Sequence, residues 1–223
     1  MVLHLFRKSE DGLEQIANRT IAMLTDARHS FDLAHTALLS GADAGTIRED
    51  VHETDTRINQ AEQQLRGQLV THLAVHGTVD TAAVLSYTLL IKKIERIGDQ
   101  VKNILDMTDE GVDLSDAPDV QELTAYRRTI SNMIGEVADL MADHDEQEAA
   151  EFRERADALK KEIEQKIREY MHSDEPGHVA VPRAILYRYW KRIVANLGGV
   201  ISSITEPLQH QDYYDEGATD IED

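Results

Sequence analysis

The chain has 223 residues, of which 41% are hydrophobic and only 5% aromatic, so aliphatic side chains must fill its core. It has no cysteine, which excludes disulfides, zinc–thiolate sites, iron–sulfur clusters and cysteine nucleophiles. Acidic residues number 42 against 23 lysines and arginines, and the formal net charge of −19 predicts that nucleic acids are not partners.

Apolar residues recur at helical spacing through the first half of the chain. Three helices are predicted there, over about residues 11–39, 43–75 and 80–107. Gly41 and Gly77 follow the first two helices, as glycine commonly does at a helix C-terminus. Asp80 precedes the third helix and is a suitable N-cap.

The second half repeats this pattern after a polar stretch over residues 109–119, which we interpret as a linker. Three further helices are predicted over about residues 120–142, 146–172 and 182–205, the last beginning at Pro182 because proline is excluded from helix interiors. The predicted fold is therefore all-α, with two tandem three-helix bundles forming a rod. The predicted domains are residues 1–111, residues 112–206 and an acidic, disordered tail over residues 207–223.

Oxygen-bearing side chains of the second and third helices are predicted to meet. Glu95 and Asp99 are four residues apart and so share one face of the third helix, and Asp55 and Asn59 do the same on the second. In an antiparallel hairpin centred on Gly77, Asp55 lies as far from the turn as Asp99, and Asn59 as far as Glu95. The four side chains should therefore lie at one level of the bundle.

Two interpretations of this arrangement follow from the residues alone. Oxygen ligands on facing helices suit a divalent cation such as Mg²⁺, Mn²⁺ or Fe. The alternative is a hydrated polar seam in which Arg96 or Arg57 neutralises the carboxylates.

Two strings of residues resemble the PhoU family of phosphate-signalling proteins. One is the third-helix string Ile94-Glu95-Arg96-Ile97-Gly98-Asp99, followed by Asn103-Ile104, and the other is the second-helix string Glu53-x-Asp55-x-x-Ile58-Asn59-x-x-Glu62. The family is characterised by repeated E/D-x-x-x-D motifs on paired three-helix bundles. The resemblance extends over the six-helix plan, from about residue 13 to residue 206.

The resemblance implies multinuclear metal clusters on the bundles, and regulation of phosphate uptake and of a phosphate-sensing histidine kinase. We therefore expect a non-enzymatic regulator that contacts a phosphate transporter or such a kinase, and that forms a homodimer. The expected metal ligands are Asp55, Asn59, Glu95 and Asp99, with the ion open among Mg, Mn, Fe and Zn. Because no signal peptide or long apolar run is evident, we expect a cytoplasmic protein that reaches the membrane only through its partner.

The second half departs from the family pattern at the matching positions. Lys191 and Ala195 stand where the third helix has its two acids, and Lys161 stands where the second helix has its asparagine. Only Asp157 keeps an acid. Because protonated lysines cannot ligate a cation and repel it, the second bundle is predicted to be metal-free.

Two other classes of function remain open. Glu49-x-x-His52 and Glu169-x-x-His172 match an element of di-iron bundles, which keeps an iron-handling or oxidase-like protein as an alternative. A metal-free helical adaptor is the other alternative.

Aromatic and glycine residues of the sixth helix predict packing rather than a site. Tyr187, Tyr189 and Trp190 are interpreted as core residues. The pair Gly198-Gly199 predicts a close helix approach, within the bundle or across a dimer.

Overall fold

A computed structural model describes residues 11–42, 44–143 and 145–211 of the chain. Its long helices are α1 (Asp11–Ser40), α2 (Ala44–His76), α3 (Thr81–Asp109), α4 (Val120–Asp143), α5 (Glu146–Met171) and α6 (Gly177–Thr205). No strand occurs in the described residues. The predicted all-α fold is confirmed, and most helix ends lie within two residues of the prediction.

The start of α6 differs from the prediction, because the helix begins five residues before Pro182. Pro176 precedes the first turn, and its carbonyl accepts hydrogen bonds from the backbone N–H groups of Val179 (2.8 Å) and Ala180 (3.0 Å). Pro182 then lies in the second turn, where its missing N–H removes a single helical hydrogen bond. A helix of 29 residues tolerates that loss near its end.

The α2–α3 hairpin turns at Gly77, as predicted. Gly77 has a φ of 74°, in the left-handed region that favours glycine, and its N–H donates to the carbonyl of Leu73 at 3.0 Å. Asp80 stands at the predicted N-cap of α3, but its side chain makes no capping hydrogen bond. It contacts His72 instead, with 2.8 Å between Asp80 Oδ2 and His72 Nε2.

One continuous apolar core runs through both predicted bundles. Helices α1, α2 and α3 pack together, α5 packs along α6, and the halves join where α3 lies along α6 and α1 along α4. The predicted polar linker also contacts the helices, since the N–H of Leu114 donates to the carbonyl of Leu38 at 3.0 Å. The two bundles therefore lie side by side along most of their length.

An aromatic cluster joins the two halves. Tyr187 and Trp190 of α6 are fully buried, which confirms their interpretation as core residues. The indole N–H of Trp190 donates to His35 Nε2 at 2.7 Å, and the other ring nitrogen of His35 lies 2.7 Å from the carbonyl oxygen of Phe31. Because an indole can only donate, His35 is the tautomer that carries its proton on Nδ1.

The glycine pair of α6 marks the contact with α3. A Cβ atom at Gly199 would lie 2.7 Å from Cδ of Lys93, so the buried side chain of Lys93 would have to shift to make room for it. A Cβ atom at Gly198 would meet nothing within 4 Å. The predicted close approach therefore occurs within the chain, at Gly199.

The predicted disordered tail differs from the structure over residues 207–211. A single 3-10 turn covers Leu208–His210, and the Gln211 side chain is buried at the end of the bundle. Its amide nitrogen donates to Ser86 Oγ (2.8 Å) and to the carbonyl of Glu206 (2.9 Å). The hydrogen bonds of this buried amide nitrogen hold in place a segment that has few apolar residues. Residues 212–223 lie outside the described residues.

Candidate metal centre

The acidic seam, defined as the facing side chains Asp55, Asn59, Glu95 and Asp99, lies where α2 and α3 approach closely. Gly98 of α3 faces Ile58 of α2, since a Cβ atom there would lie 3.4 Å from Cδ1 of Ile58. This contact, with the interaction between Asp99 and Asp55, is consistent with the predicted hairpin register.

The carboxylates of the acidic seam lie near enough to affect one another's ionisation. The pKa of Asp99 is raised, first by partial burial and then by the negative charges of Glu95 and Asp55. The amide nitrogen of Asn59 donates to Oδ2 of Asp55 at 3.3 Å, which leaves the Asn59 amide oxygen as a possible ligand. A cation placed here would relieve repulsion between three carboxylates.

Lysines of α3 supply positive charge to the seam. Nζ of Lys92 lies 2.7 Å from Oε2 of Glu95, and Nζ of Lys102 lies 3.9 Å from Oδ2 of Asp55. Arg57, which was expected to neutralise the seam, instead pairs with an aspartate of α1 at 3.2 Å. The signal that was missed is spacing, since each lysine lies three residues from an acid of the motif.

The donor chemistry of the seam fits a hard divalent cation, because three carboxylates and an amide offer only oxygen ligands. In the described residues, however, no three acidic or histidine side chains are gathered as they are around a bound ion. An ion would have to displace the ammonium groups of Lys92 and Lys102 from their present places. The ligand set Asp55, Asn59, Glu95 and Asp99 therefore stays a prediction.

The matching seam of the second bundle is organised differently. Asp157 pairs with Lys160 at 2.8 Å, and Lys191 pairs with Glu164 at 2.5 Å. The contact with Lys191 lowers the pKa of the Glu164 carboxyl. Because Asp157 is the one acid at the four matching positions and a lysine already pairs with it, the second seam has fewer oxygen donors than the first, and its metal-free state stays a prediction.

The two E-x-x-H elements are not brought together. Glu49 and His52 are exposed on α2, whereas Glu169 and His172 are exposed at the end of α5. Glu169 accepts a hydrogen bond from its own helix, from Gln165 at 3.0 Å. The structure thus gives no support to a di-iron centre built from these residues.

Comparison with known proteins places the seam inside a recognised domain. A family model described as the PhoU domain matches residues 13–108, which span α1, α2 and nearly all of α3. The first bundle thus matches the PhoU domain. The resemblance that rests on Glu95, Asp99 and their neighbours is therefore confirmed.

The fold of the whole chain also resembles that of a solved PhoU protein. The crystal structure of PhoU from Pseudomonas aeruginosa matches with a TM-score of 0.75 over 90% of this chain and 96% of that chain, at 20% sequence identity. At this identity the match shows a shared fold, and it extends the likeness to the second bundle, beyond the PhoU domain. No curated protein sequence matches the chain.

The length and hydrophobicity of a helix decide whether it can cross a membrane. Within the described residues, no helix combines the length and apolar character that a bilayer crossing requires.

Proposed function

We propose that this protein is a non-enzymatic regulator of phosphate homeostasis or transport that acts by contact with other proteins. The PhoU domain over residues 13–108 carries the proposal, and the match of the fold to PhoU from Pseudomonas aeruginosa supports it. The partners that we propose are a phosphate transporter or a phosphate-sensing histidine kinase. The protein is then cytoplasmic and reaches the membrane only through that partner.

A divalent ion in the acidic seam is part of this proposal. Asp55, Asn59, Glu95 and Asp99 would hold it, and the ion would supply positive charge where the three carboxylates repel one another. Mg, Mn, Fe and Zn all remain open. The residues themselves present oxygens from both α2 and α3, beside the contact of Gly98 with Ile58. This arrangement would fix the distance between the helices of the first bundle.

The outward face of α6 is the surface that we propose for the partner. Every charged residue of this helix is cationic: Arg183, Arg188, Lys191 and Arg192. Arg183 is buried and pairs with Asp119 at 2.6 Å, so it does not serve an external partner. Arg188 and Arg192 are exposed, one turn apart.

Exposed apolar residues continue this face toward the α5–α6 hairpin. Ile185 lies one turn before Arg188, and Val181 lies one turn further, with exposed fractions of 39% and 54%. The four residues form one stripe because their spacing follows the helical repeat. An apolar patch beside cations on a protein of charge −19 suits a partner surface that is acidic and partly apolar.

Deletion of the gene in its source organism tests the function. We expect altered phosphate uptake and altered expression of phosphate-responsive genes, both restored by the wild-type gene. A gene carrying Arg188→Glu and Arg192→Glu should fail to restore them. The control Arg66→Glu with Arg128→Glu makes the same change in net charge on exposed residues of α2 and α4 and should restore them. A deletion without effect on either readout would reject the proposed function.

A second candidate function is a metal-free helical adaptor. The observation that favours it is the compensation of the seam by Lys92 and Lys102, which needs no ion. Metal analysis of the purified protein separates the two candidates, since both predict partner contact. A homodimer is part of the first proposal, and light scattering on the purified protein tests it.

A further inference from the structure

The α2–α3 hairpin carries a second cluster of metal-binding residue types, at the end of the bundle and away from the acidic seam. His72 and His76 lie in the last two turns of α2, and Asp80 follows the turn at Gly77. Each lies four positions after the one before it, so the two imidazoles share one face of α2. Their rings stack with centroids 4.4 Å apart.

The geometry around His72 is fixed from two sides. The ring is buried, with Nε2 at 2.8 Å from Oδ2 of Asp80, and this carboxylate serves no helix cap. On the other side α1 packs against the ring, since a Cβ atom at Gly12 would lie 3.2 Å from Nδ1 of His72. A histidine oriented by its neighbours in this way is pre-arranged to present Nε2 toward Asp80.

We propose that His72, His76 and Asp80 bind one transition-metal ion of the Zn²⁺ type. Two histidines at this helical spacing with a carboxylate form a common three-ligand zinc set, with a water as fourth ligand. Ligand atoms about 2.0–2.1 Å from one tetrahedral ion lie roughly 3.3 Å apart. His72 and Asp80 therefore need to separate by only a few tenths of an ångström for the ion to replace their shared proton.

His76 is the ligand that must move before all three side chains can contact one ion. As they stand, the three side chains do not converge on one point. His76 is exposed at the last residue of α2, and its ring would have to leave its stacked position on His72 to reach the ion. Binding would draw His76 toward the pair that His72 and Asp80 already form.

A groove reaches the two histidines of the cluster from the side of α1, and Asp80 lies outside its lining. It has a volume of about 590 Å³ and is lined by residues of α1 and α2, His72 and His76 among them. Gln68 lines the same groove, and its Oε1 is buried without a hydrogen-bond partner in the described residues.

The chemistry of this cluster separates it from the acidic seam. Imidazole nitrogens suit Zn²⁺, Ni²⁺ or Cu²⁺, whereas a seam of carboxylates and an amide suits Mg²⁺ or Mn²⁺. The proposal does not depend on the proposed function, because it rests only on residues of the hairpin end.

Titration of the full-length, metal-stripped protein with Co²⁺, followed by visible absorption, tests the proposal. Wild type should show the intense bands of tetrahedral Co²⁺, and Zn²⁺ should displace them. His76→Ala and Asp80→Asn should each weaken Co²⁺ binding at least about tenfold. His178→Ala, an exposed histidine of the other hairpin, and the double variant Glu95→Ala/Asp99→Ala should leave the bands unchanged.

Two results would overturn the site. One is the absence of tetrahedral bands in the wild type at Co²⁺ concentrations well above those of the protein. The other is an affinity for Co²⁺ that His76→Ala leaves unchanged, because His76 is one of the three proposed ligands.

Discussion

The imidazole of His35 lies between the carbonyl of Phe31 and the indole of Trp190 and is completely buried. Burial, with a smaller contribution from the charge of Arg127 and against the hydrogen bond to the Phe31 carbonyl, lowers the pKa of His35 to about 3. The neutral ring accepts the Trp190 hydrogen bond through Nε2, which a protonated ring cannot do. The link between α1 and α6 therefore depends on a histidine that stays neutral.

A pH dependence of stability follows from His35. The unfolded chain takes up a proton on His35 near pH 6.5, and the native protein only near pH 3. The contribution of the neutral ring to the free energy of unfolding is therefore complete above pH 6.5 and decreases as the pH falls from 6.5 toward 3. The slope is at most about 1.4 kcal/mol per pH unit. His35→Gln keeps an acceptor for Trp190 without a titrating ring and should lose this slope. Urea unfolding between pH 5 and pH 7.5, followed by fluorescence of the single tryptophan, measures it. Equal pH slopes for wild type and variant would contradict the account.

At the scale of helices, Gly198 and Gly199 offer a matched pair of sites. Both lie within α6, and only Gly199 faces the buried Lys93 of α3. Alanine is a better helix former than glycine by about 1 kcal/mol. Gly198→Ala should therefore raise the free energy of unfolding by up to about 1 kcal/mol, whereas Gly199→Ala should lower it because Lys93 must shift.

Denaturant unfolding of the two glycine variants provides the measurement. The difference between their free energies of unfolding isolates the packing of α3 on α6, since both variants replace a helical glycine with alanine. If both variants were stabilised to the same degree, the close approach at Gly199 would be wrong.

The helices and the register of the acidic seam could be predicted because they depend on local rules. Glycines mark helix ends, and an antiparallel hairpin fixes which residues face each other, so Asp55 and Asp99 could be paired from their distances to Gly77. The start of α6 could not be predicted in this way, because a proline in the second turn of a helix removes only one hydrogen bond and is tolerated there. The hydrogen bond between Trp190 and His35 joins residues 155 positions apart, and no local pattern specifies such a contact.

Partners within the site were harder to predict than the site itself. Long lysine side chains choose among several acids according to the packed structure, so Lys92 and Lys102 could not be separated from Arg57 and Arg96 as the seam's cations. The pattern of His72, His76 and Asp80 was missed for a related reason. Asp80 precedes a helix and was interpreted as its N-cap, whereas the folded hairpin brings it to His72.

For the whole molecule, the distribution of charge predicts how partners are selected. The net charge of −19 repels phosphate backbones, and the cations of α6 are a local exception. We therefore expect no specific binding to duplex DNA at moderate salt, so any effect on transcription passes through a protein partner. A mobility-shift assay that detects a sequence-specific complex below about micromolar concentration would contradict this expectation.

The asymmetry between the two bundles is the other property of the whole molecule. The first bundle presents three carboxylates and an amide at one level, and the second presents Asp157 among lysines. Restoration of the missing oxygens by Lys161→Asp, Lys191→Glu and Ala195→Asp should therefore raise the number of ions bound per chain. Asp157→Ala should leave that number unchanged, because one acid beside cations is not a site.

Elemental analysis after purification in the presence of divalent metals tests the central claim most directly. We predict retained divalent metal in the wild type, and loss of the part bound by the acidic seam in the double variant Glu95→Ala/Asp99→Ala. The histidine cluster is removed from the count by making the comparison in a His76→Ala background. A wild-type seam that holds no metal, or a double variant that retains as much metal as its parent, would contradict the account.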